Sequence, residues 1–313
     1  VLSILIVLFI IGFIIGYIGL KEYAKNIVTP FKVFQYKFTN EELNKEQKTI
    51  MDEAEIYMSL IVPAYNEEKR IKSMLISTMD YLESRHMKDE TFTYEIIVVD
   101  DGSKDQTVDV VSKVISKYGD RIRLLRLVDN RGKGFAVKQG MLRSRGQMAL
   151  MLDADAATKI SDVEKLERDL KKVEKTSSFG GMALGSRREV HAEAERTFVR
   201  GLISYIFNLL VRYAAGIPNV KDTQCGFKLF SRKAARYLFI NQHCERWCFD
   251  IDLLILAQHV KLPFVEIAVT WKEVPGSHLT IGGMLGIIRD LFLIRLNYLF
   301  GFWSIEANPT LAL

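Results

Sequence analysis

Short apolar segments alternate with longer amphipathic segments between residues 57 and 174, and this alternation constrains the fold more than any other feature. The apolar segments have the length of buried strands, and the segments between them have the length of helices. The predicted strands are 57–63, 94–100, 121–128 and 147–153, and the predicted helices are 66–86, 105–118, 133–144 and 161–174. Strands separated by helices pair in parallel, so the sequence predicts a Rossmann-like α/β fold whose mostly parallel central sheet has helices on both faces.

Polar or charged residues follow each of the four predicted strands. Parallel strands place these residues along one edge of the sheet, where ligands of such folds bind. One acidic cluster would be ordinary surface, but four consecutive clusters are hard to explain by solubility alone. The clusters are 63–67, 100–103, 130–134 and 153–155. We therefore predict a ligand site at this edge.

Asp153 and Asp155 end the fourth predicted strand, in the segment MLDADAATK (151–159). Residues i and i+2 of a strand face the same side, so the two carboxylates can converge on one point. Without a cation, one of two carboxylates held that close would tend to keep its proton. A lone acidic pair is a weak signal because most such pairs are solvated. At the end of an apolar strand it predicts Mg²⁺ or Mn²⁺, which commonly complete their coordination with substrate phosphates.

The other clusters admit two interpretations each. Asp100 and Asp101 could accept hydrogen bonds from ribose hydroxyls or a base, or they could belong with residues 103–105 to a helix cap. Arg131 and Lys133 could pair with a diphosphate, or they could form an ordinary turn before a helix. The sequence contains no GxGxxG after the first strand and no GxxxxGK[ST], which argues against a dinucleotide oxidoreductase and a P-loop NTPase.

Residues 1–20 carry no charge, and as a helix they would match the roughly 30 Å thickness of the hydrocarbon core of a bilayer. A transmembrane anchor is predicted. The alternative, a cleaved signal peptide, is disfavoured because the apolar run is long and no small-residue cleavage site follows it. Lys21 and Lys25 favour a cytoplasmic position for the chain that follows. The net charge of +5 suits an anionic ligand or membrane surface without requiring either.

A second apolar region, 281–305, is interrupted by three charged residues and does not read as a membrane span. One interpretation is an amphipathic helix at a membrane interface, with Tyr298 and Trp303 at the level of the headgroups. The other is a helix that packs on the core of the protein itself. The periodicity supports the two equally.

Seven motifs occur in a characteristic order along the chain. They are VPAYNEE (62–68), VVDDGSKDQT (98–107), NRGKG (130–134), DADAATK (153–159), GSR (185–187), DTQCGFKLF (222–230) and ERWCFDIDLL (245–254). Together they resemble family 2 glycosyltransferases of the GT-A fold, over about residues 57–306. DTQCGFKLF and WKEVPGSHL (271–279) point to the branch that glucosylates dolichyl phosphate. The chain departs from the family at Ala156, where a glycine is expected after DAD, and this places only the local turn in doubt.

The resemblance implies transfer of glucose from UDP-glucose to dolichyl phosphate for protein N-glycosylation, with inversion at the sugar. It implies that the nucleotide site contains Pro63, Ala64, Tyr65, Glu67, Asp100, Asp101, Arg131 and Lys133. It implies an acceptor and sugar site with Ser186, Arg187, Arg188, Arg200, Gln224 and Asp250. The catalytic residues implied are Asp153, Asp155, Arg187 and Asp222, of which Asp153 and Asp155 hold the Mg²⁺ or Mn²⁺ ion.

Five segments follow from these features. They are a transmembrane anchor (1–20), a linker (21–55), a GT-A catalytic domain (56–279), an amphipathic membrane-associated helical region (280–306) and a tail (307–313). The implied location is the endoplasmic reticulum membrane, spanned once, with the catalytic domain on the cytosolic face. Membrane lipid is an expected partner and nucleic acid is not, while the oligomeric state stays open. Two alternatives remain: the same chemistry with GDP-mannose, and a nucleotide-sugar-binding membrane protein without turnover.

Overall fold

A computed structural model describes residues 11–22, 48–187, 220–274 and 281–305, with only the backbone described for 281–288. The described strands are β1 (Ile56–Ala64), β2 (Tyr94–Asp100), β3 (Ile122–Arg126), β4 (Gly146–Met151), β5 (Met182–Ser186), β6 (Lys228–Ser231) and β7 (Phe264–Ala268). The described helices are α1 (11–22), α2 (Ile71–Lys88), α3 (Thr107–Tyr118), α4 (Lys133–Leu142), α5 (Val163–Val173), α6 (Arg232–Asn241), α7 (Phe249–His259) and α8 (Ile281–Leu299). The strands β1–β4 and the helices α2–α5 confirm the predicted alternation.

The described strands form one sheet in the order β3-β2-β1-β4-β6-β5-β7. The first four strands pair in parallel, and β2 is buried along its whole length, as expected for a sheet covered on both faces. β6 runs antiparallel to both β4 and β5, with Met151 of β4 opposite Lys228 of β6. This reversal brings the chain that enters β6 next to the residues that leave β4, so two distant motifs meet at one edge.

Helices cover both faces of this sheet, as the sequence predicts. On one face, side chains of α2, α3 and α5 such as Leu75, Val111 and Leu166 form a buried cluster with alternate residues of the strands. On the other face, a second cluster includes residues of α4, α6, α7 and α8, among them Leu238 and Leu254. The mostly parallel α/β class is confirmed.

The folded part of the chain starts before residue 56, within the segment predicted as a linker. Ile50 is 1% exposed, and its amide donates to the carbonyl of Leu142 at 2.9 Å. Arg236 donates to the carbonyl of Ile50 at 2.9 Å, and Arg232 donates to the carbonyl of Asp52 at 2.7 Å. These contacts attach residues 49–52 to helix α6. Residues 23–47 of the predicted linker lie outside the described residues.

Helix α8 packs one side on the hydrophobic core of the domain. Leu291 and Ile294 are buried, and Trp303, which follows the helix, is 3% exposed and stacks on His243 with ring centroids 4.8 Å apart. The hydroxyl of Tyr298 donates a hydrogen bond to the carboxylate of Asp252 on α7. Trp303 and Tyr298 thus dock the helix on the domain, as the second interpretation predicts, and the interpretation of a membrane-associated region stays a prediction.

Helix α1 lies beside the end of α8. The ring of Tyr17 contacts those of Phe300 and Phe302, with centroids 5.8 and 4.9 Å apart. In the parts of the chain that the structure describes, no helix combines the length and the apolar character that crossing a bilayer requires. The first half of the predicted anchor, residues 1–10, lies outside those parts.

Candidate active site

Asp153 lies just beyond β4, in contact with a cation and with a glycine. Its Oδ1 is 2.5 Å from Nζ of Lys133. Burial alone would raise the pKa of Asp153, but Lys133, with help from Lys228 and Arg187, holds that pKa below its usual value. A methyl group at Gly226 would lie 2.0 Å from Asp153 Oδ2, so a side chain there would displace the carboxylate. Asp153 is thus an ionised, partly exposed carboxylate that glycine allows to lie against the chain entering β6.

The second acid of the pair, Asp155, is held by a tight turn. Its Oδ1 accepts a hydrogen bond from the amide of Ala157 at 2.9 Å. Ala156 between them has φ of 60°, the left-handed conformation that glycine adopts most easily. The turn thus forms despite the departure from the family motif. The amide of Lys272 donates to the carbonyl of Ala157 at 2.8 Å, which fixes the turn against the segment after β7.

The two aspartates suit a hard divalent cation. Each offers carboxylate oxygens, and Mg²⁺ is commonly bound by one or two carboxylates with water and phosphate completing its coordination. The ammonium group of Lys133 on Asp153 Oδ1 shows that this oxygen already accepts a cation. No cluster of three or more His, Cys, Asp or Glu side chains suited to a metal occurs in the described portion of the chain. The residues present therefore fit an ion that is shared with a phosphate ligand.

Lys133 begins α4, and the loop before it is anchored by Asp101. The amides of Arg131 and Gly132 donate to the two carboxylate oxygens of Asp101 at 2.9 and 2.8 Å. Burial raises the pKa of Asp101 to about 6, even though these two amides lower it. Both oxygens of Asp101 thus shape the loop that presents Lys133, and the predicted contact of Asp101 with a nucleotide stays a prediction.

Arg131 is paired within the protein, and its predicted contact with a diphosphate stays a prediction. Its guanidinium pairs with the carboxylate of Glu245 and lies 3.9 Å from the ring centroid of Phe135. The interaction joins the loop before α4 to the loop before α7. Lys133, rather than Arg131, is thus the basic side chain of this motif that faces Asp153.

The remaining predicted nucleotide residues line the ends of β1 and β2. Pro63 and Tyr65 are partly exposed at this edge, and Ala64 is buried, with its carbonyl accepting from the amide of Asp101 at 2.8 Å. Glu67 forms a two-point pair with Arg70 at 2.6 and 2.7 Å. The Asp100 carboxylate accepts from the amide of Ser103 at 3.3 Å, which matches the capping alternative, and burial raises its pKa. Glu67 and Asp100 are therefore held by protein groups at this edge.

Arg187, whose charge also acts on Asp153, forms a two-point ion pair with Asp222. The Nε and Nη2 atoms each lie 2.8 Å from one carboxylate oxygen, and the Arg187 amide donates to Asp222 Oδ2 at 3.0 Å. Burial would raise the pKa of Asp222, but Arg187 lowers it below its usual value. The carboxylate of Asp222 is thus paired with the guanidinium of Arg187.

Lys228 pairs with Asp250, at 2.7 Å, and donates to the carbonyl of Cys225 at 2.5 Å. Both side chains of the pair are nearly inaccessible to solvent, and burial raises the pKa of Asp250. Ser186 ends β5 beside Arg187 and is buried, while Gln224 is half-buried in the segment that leads into β6. Two predicted acceptor residues, Arg188 and Arg200, lie outside the described residues.

The residue set and the fold can be compared with known proteins. The family model described as "Glycosyl transferase family 2" matches residues 59–239. The chain belongs to glycosyl transferase family 2. The dolichyl-phosphate beta-glucosyltransferase of Homo sapiens is 47% identical over 274 residues, which cover 86% of this chain and 84% of that protein. A dolichyl-phosphate beta-glucosyltransferase of Trichomonas vaginalis is 42% identical over 315 residues, covering 97% of this chain and 95% of that one.

The fold of this family 2 glycosyltransferase also matches solved structures. Glucosyl-3-phosphoglycerate synthase from Mycobacterium tuberculosis, crystallised in complex with Mn²⁺, UDP-glucose and glycerol 3-phosphate, superposes with a TM-score of 0.53. The two chains are 18% identical, and the match covers 81% of this chain and 82% of that one. At this level of identity the comparison establishes the shared GT-A-like architecture.

Two residues of this family 2 glycosyltransferase are important in the site but were not singled out from the sequence. Glu266 of β7 accepts from the amides of Lys221 and Asp222 at 3.0 and 2.8 Å, so it supports the acid that holds Arg187. Asp252 of α7 is buried and accepts from the amides of His243 and Cys244. Asp252 lies inside the quoted motif ERWCFDIDLL, whereas Glu266 gave no pattern that distinguishes it from an ordinary strand residue.

Proposed function

We propose that this chain transfers glucose from UDP-glucose to dolichyl phosphate and forms dolichyl β-D-glucosyl phosphate. Relatives named dolichyl-phosphate beta-glucosyltransferase, which are 42% and 47% identical over most of the chain, support this donor and acceptor. The observation that carries the chemistry is the arrangement at the end of β4. There, the carboxylate of Asp153 pairs with Lys133, and the positive charge of Arg187, which is paired with Asp222, also lowers the pKa of Asp153.

The donor side of the site would use Asp153, Asp155 and Lys133. The two aspartates would hold a Mg²⁺ or Mn²⁺ ion, which when bound supplies Lewis-acid neutralisation of charge on the departing diphosphate. The structural relative crystallised with Mn²⁺ and UDP-glucose supports this assignment. Lys133 is close enough to Asp153 to contact the same diphosphate, and its positive charge would stabilise UDP as the bond to glucose breaks.

The acceptor side must admit an anion to an already anionic site. The second pKa of a phosphate monoester is about 6, so the attacking oxygen is mostly ionised at neutral pH and needs little help from a base. Arg187 follows the end of β5 directly, and its positive charge would attract the acceptor phosphate. Arg188 and Arg200 would add to this positive charge. Attack from the side opposite the leaving UDP inverts the anomeric carbon and gives the β-linked product.

Asp222 and Asp250 are best explained as residues that hold cations in place. Asp222 fixes the guanidinium of Arg187 through two hydrogen bonds, and Asp250 fixes the ammonium of Lys228. Two-point pairing of arginine with a carboxylate restricts its geometry more than a single contact would. Gln224, on the segment between these pairs, would contact a sugar hydroxyl.

We further propose that the protein acts at the endoplasmic reticulum membrane, with the catalytic domain on the cytosolic face. The charge-free segment 1–20 supports a single-pass anchor. Apolar side chains are exposed on α1 and just after α8, among them Phe13, Ile15 and Phe300. They support contact with membrane lipid on the side of the protein where α1 lies beside the end of α8.

The decisive experiment supplies the purified full-length protein with dolichyl phosphate and either labelled UDP-glucose or labelled GDP-mannose. We expect labelled lipid from UDP-glucose with Mg²⁺ or Mn²⁺, and loss of product when a chelator is added. Mannolipid instead of glucolipid would favour the GDP-mannose alternative. Binding of UDP-glucose without metal-dependent product would identify a nucleotide-sugar-binding protein.

A further inference from the structure

Asp252 connects helix α8 with the loop of residues 243–246, called here the support loop. Its Oδ2 accepts from the amides of His243 and Cys244 at 2.7 and 2.8 Å. Its Oδ1 accepts from the hydroxyl of Tyr298 at 2.5 Å. The side chain is fully buried, so this one carboxylate fixes two consecutive amides of the loop and a residue of the C-terminal helix.

The support loop in turn holds the start of α4. The carbonyl of Glu245 accepts from the amide of Phe135 at 2.8 Å, and the Glu245 carboxylate pairs with Arg131. A methyl group at Gly134 would lie 2.8 Å from the carbonyl oxygen of Cys244. Because backbone atoms of the support loop lie this close to Gly134 and Phe135, a shift of the loop must move one of these two residues. Both residues follow Lys133 directly.

A buried carboxylate is an inefficient way to stabilise a fold, because the cost of removing its charge from water offsets most of its interactions. The residue before the support loop is held separately, because the ammonium of Lys138 donates to the carbonyl of Gln242 at 2.7 Å. The two hydrogen bonds from the support loop to Asp252 do, however, define the path of that loop closely, and the third joins the same carboxylate to Tyr298 of α8. This favours a role in geometry over a role in stability.

We propose that Asp252 and Tyr298 are positioning residues for the diphosphate of the nucleotide sugar. They act through the support loop, which sets the position of the Lys133 ammonium relative to Asp153. The proposal rests on the proposed function, because it takes Lys133 to contact the diphosphate of the donor. It makes the C-terminal helix part of the donor site, although that helix lies outside the predicted catalytic domain.

The test is Tyr298→Phe in the full-length protein, with Tyr237→Phe as its matched control. Both changes remove one buried hydroxyl from the same hydrophobic cluster. The Tyr237 hydroxyl has no hydrogen-bond partner among the residues described. Loss of the Asp252 contact should raise the KM for UDP-glucose and the Kd for UDP roughly fivefold, in line with the net contribution of one typical intramolecular hydrogen bond. The kcat and the KM for dolichyl phosphate should change by less than about twofold, and Tyr237→Phe should resemble wild type.

A second variant, Asp252→Asn, keeps the shape of the side chain and an oxygen that can accept from the support loop. Its Kd for UDP should lie between the Kd values of wild type and Asp252→Ala. Asp252→Asn replaces Tyr298→Phe as the test if Tyr298→Phe does not fold. The proposal is overturned if Tyr298→Phe binds UDP as tightly as Tyr237→Phe. It is also overturned if the KM values for both substrates rise together with a fall in melting temperature, which would indicate a structural role alone. UDP binding is measured directly, so absence of glucosyl transfer in the wild type would count against the proposed function and not against this inference.

Discussion

Lys133 and Asp153 form an ion pair between the start of α4 and the end of β4, with Nζ 2.5 Å from Oδ1. The pair places a cation on one of the two carboxylates proposed to hold a divalent ion. Burial alone would lower the pKa of Lys133, but Asp153 and Asp250 raise it, so the side chain carries its full charge at neutral pH. Lys133 and a divalent cation therefore compete for Asp153 until a diphosphate offers the lysine another partner.

This competition predicts that Lys133→Met binds Mn²⁺ more tightly than wild type when nucleotide is absent, by roughly tenfold, because a competing charge has been removed. The same variant should bind UDP-glucose more weakly. Titration followed by the electron paramagnetic resonance of free Mn²⁺ would measure the first effect. Lys172→Met, which removes an exposed lysine of α5, is the control. Weaker Mn²⁺ binding by Lys133→Met would contradict the proposed competition between Lys133 and the metal ion for Asp153.

Asp153→Asn should lower kcat by about a hundredfold to a thousandfold, because a neutral amide holds the cation poorly and charge on the leaving UDP loses its stabilisation. The measurement is transfer of labelled glucose to dolichyl phosphate at saturating metal. The melting temperature should stay close to that of wild type. Asp169→Asn, at an exposed ion pair of α5, controls for the loss of a carboxylate. Undiminished turnover in Asp153→Asn would refute the metal assignment.

Arg187→Lys should raise the KM for dolichyl phosphate about tenfold and leave the KM for UDP-glucose nearly unchanged. Lysine keeps the charge but loses the two-point contact with Asp222 that orients it. Initial rates at varied dolichyl phosphate and saturating donor would measure the effect. Arg168→Lys, in an exposed pair with Asp169, is the matched control. A change confined to the KM for UDP-glucose would place Arg187 on the donor side instead.

Ala156→Gly should raise the free energy of unfolding by about 0.5 to 1 kcal/mol, because alanine is strained at a positive φ and glycine is not. Thermal or urea unfolding of the purified protein would measure it. The neighbouring change Ala157→Gly is the control and should have the opposite sign. Ala157 is buried and is absent from the positions with positive φ. A destabilised Ala156→Gly protein would show that the turn is held in another way.

The raised pKa of Asp101 predicts that the stability of the fold and the affinity for UDP-glucose respond to pH in opposite directions. Its pKa in the folded protein, about 6, lies above the ordinary 3.8, so its contribution to stability is present below 3.8 and is lost as the pH rises through about 6. Protonation also puts a hydroxyl hydrogen against the amides of Arg131 and Gly132. The affinity for UDP-glucose should therefore fall as the pH drops below about 6.

Equilibrium dialysis with labelled UDP-glucose across this pH range would test the second response. UDP-glucose is a suitable probe because its diphosphate has no free terminal phosphate to titrate there. Asp101→Asn should bind UDP-glucose with an affinity that no longer changes near pH 6. An unaltered pH profile in that variant would assign the transition to another group.

The parts of the fold that the sequence predicts are those encoded by local pattern. Strands β1–β4 are apolar runs of the right length, and α2–α5 lie between them, so their type and order follow from periodicity. Strand β6 gave no comparable pattern, because it has only four residues and begins with Lys228. Its antiparallel place between β4 and β5 depends on contacts with residues distant in sequence, which a local pattern does not contain.

The site also has features that a local sequence pattern predicts and features that depend on distant contacts. Which loops meet at the edge of the sheet follows from strand order, but which side chain faces a ligand depends on distant partners. Asp101 turns to the amides of a loop about thirty residues away, and Arg131 turns to Glu245. The close approach of Gly226 to Asp153 likewise requires the reversed strand. Charge and spacing alone could not have assigned these partners.

The attachment of residues 49–52 to α6 has a consequence for how this segment can vary. Arg232 and Arg236 bind carbonyl oxygens of the main chain, which every amino acid supplies. These contacts do not depend on which side chains the segment carries, although Ile50 is itself buried in the core. Shortening the segment would remove carbonyl acceptors from both guanidinium groups. A soluble fragment for crystallisation should accordingly retain the chain from Lys48 onward.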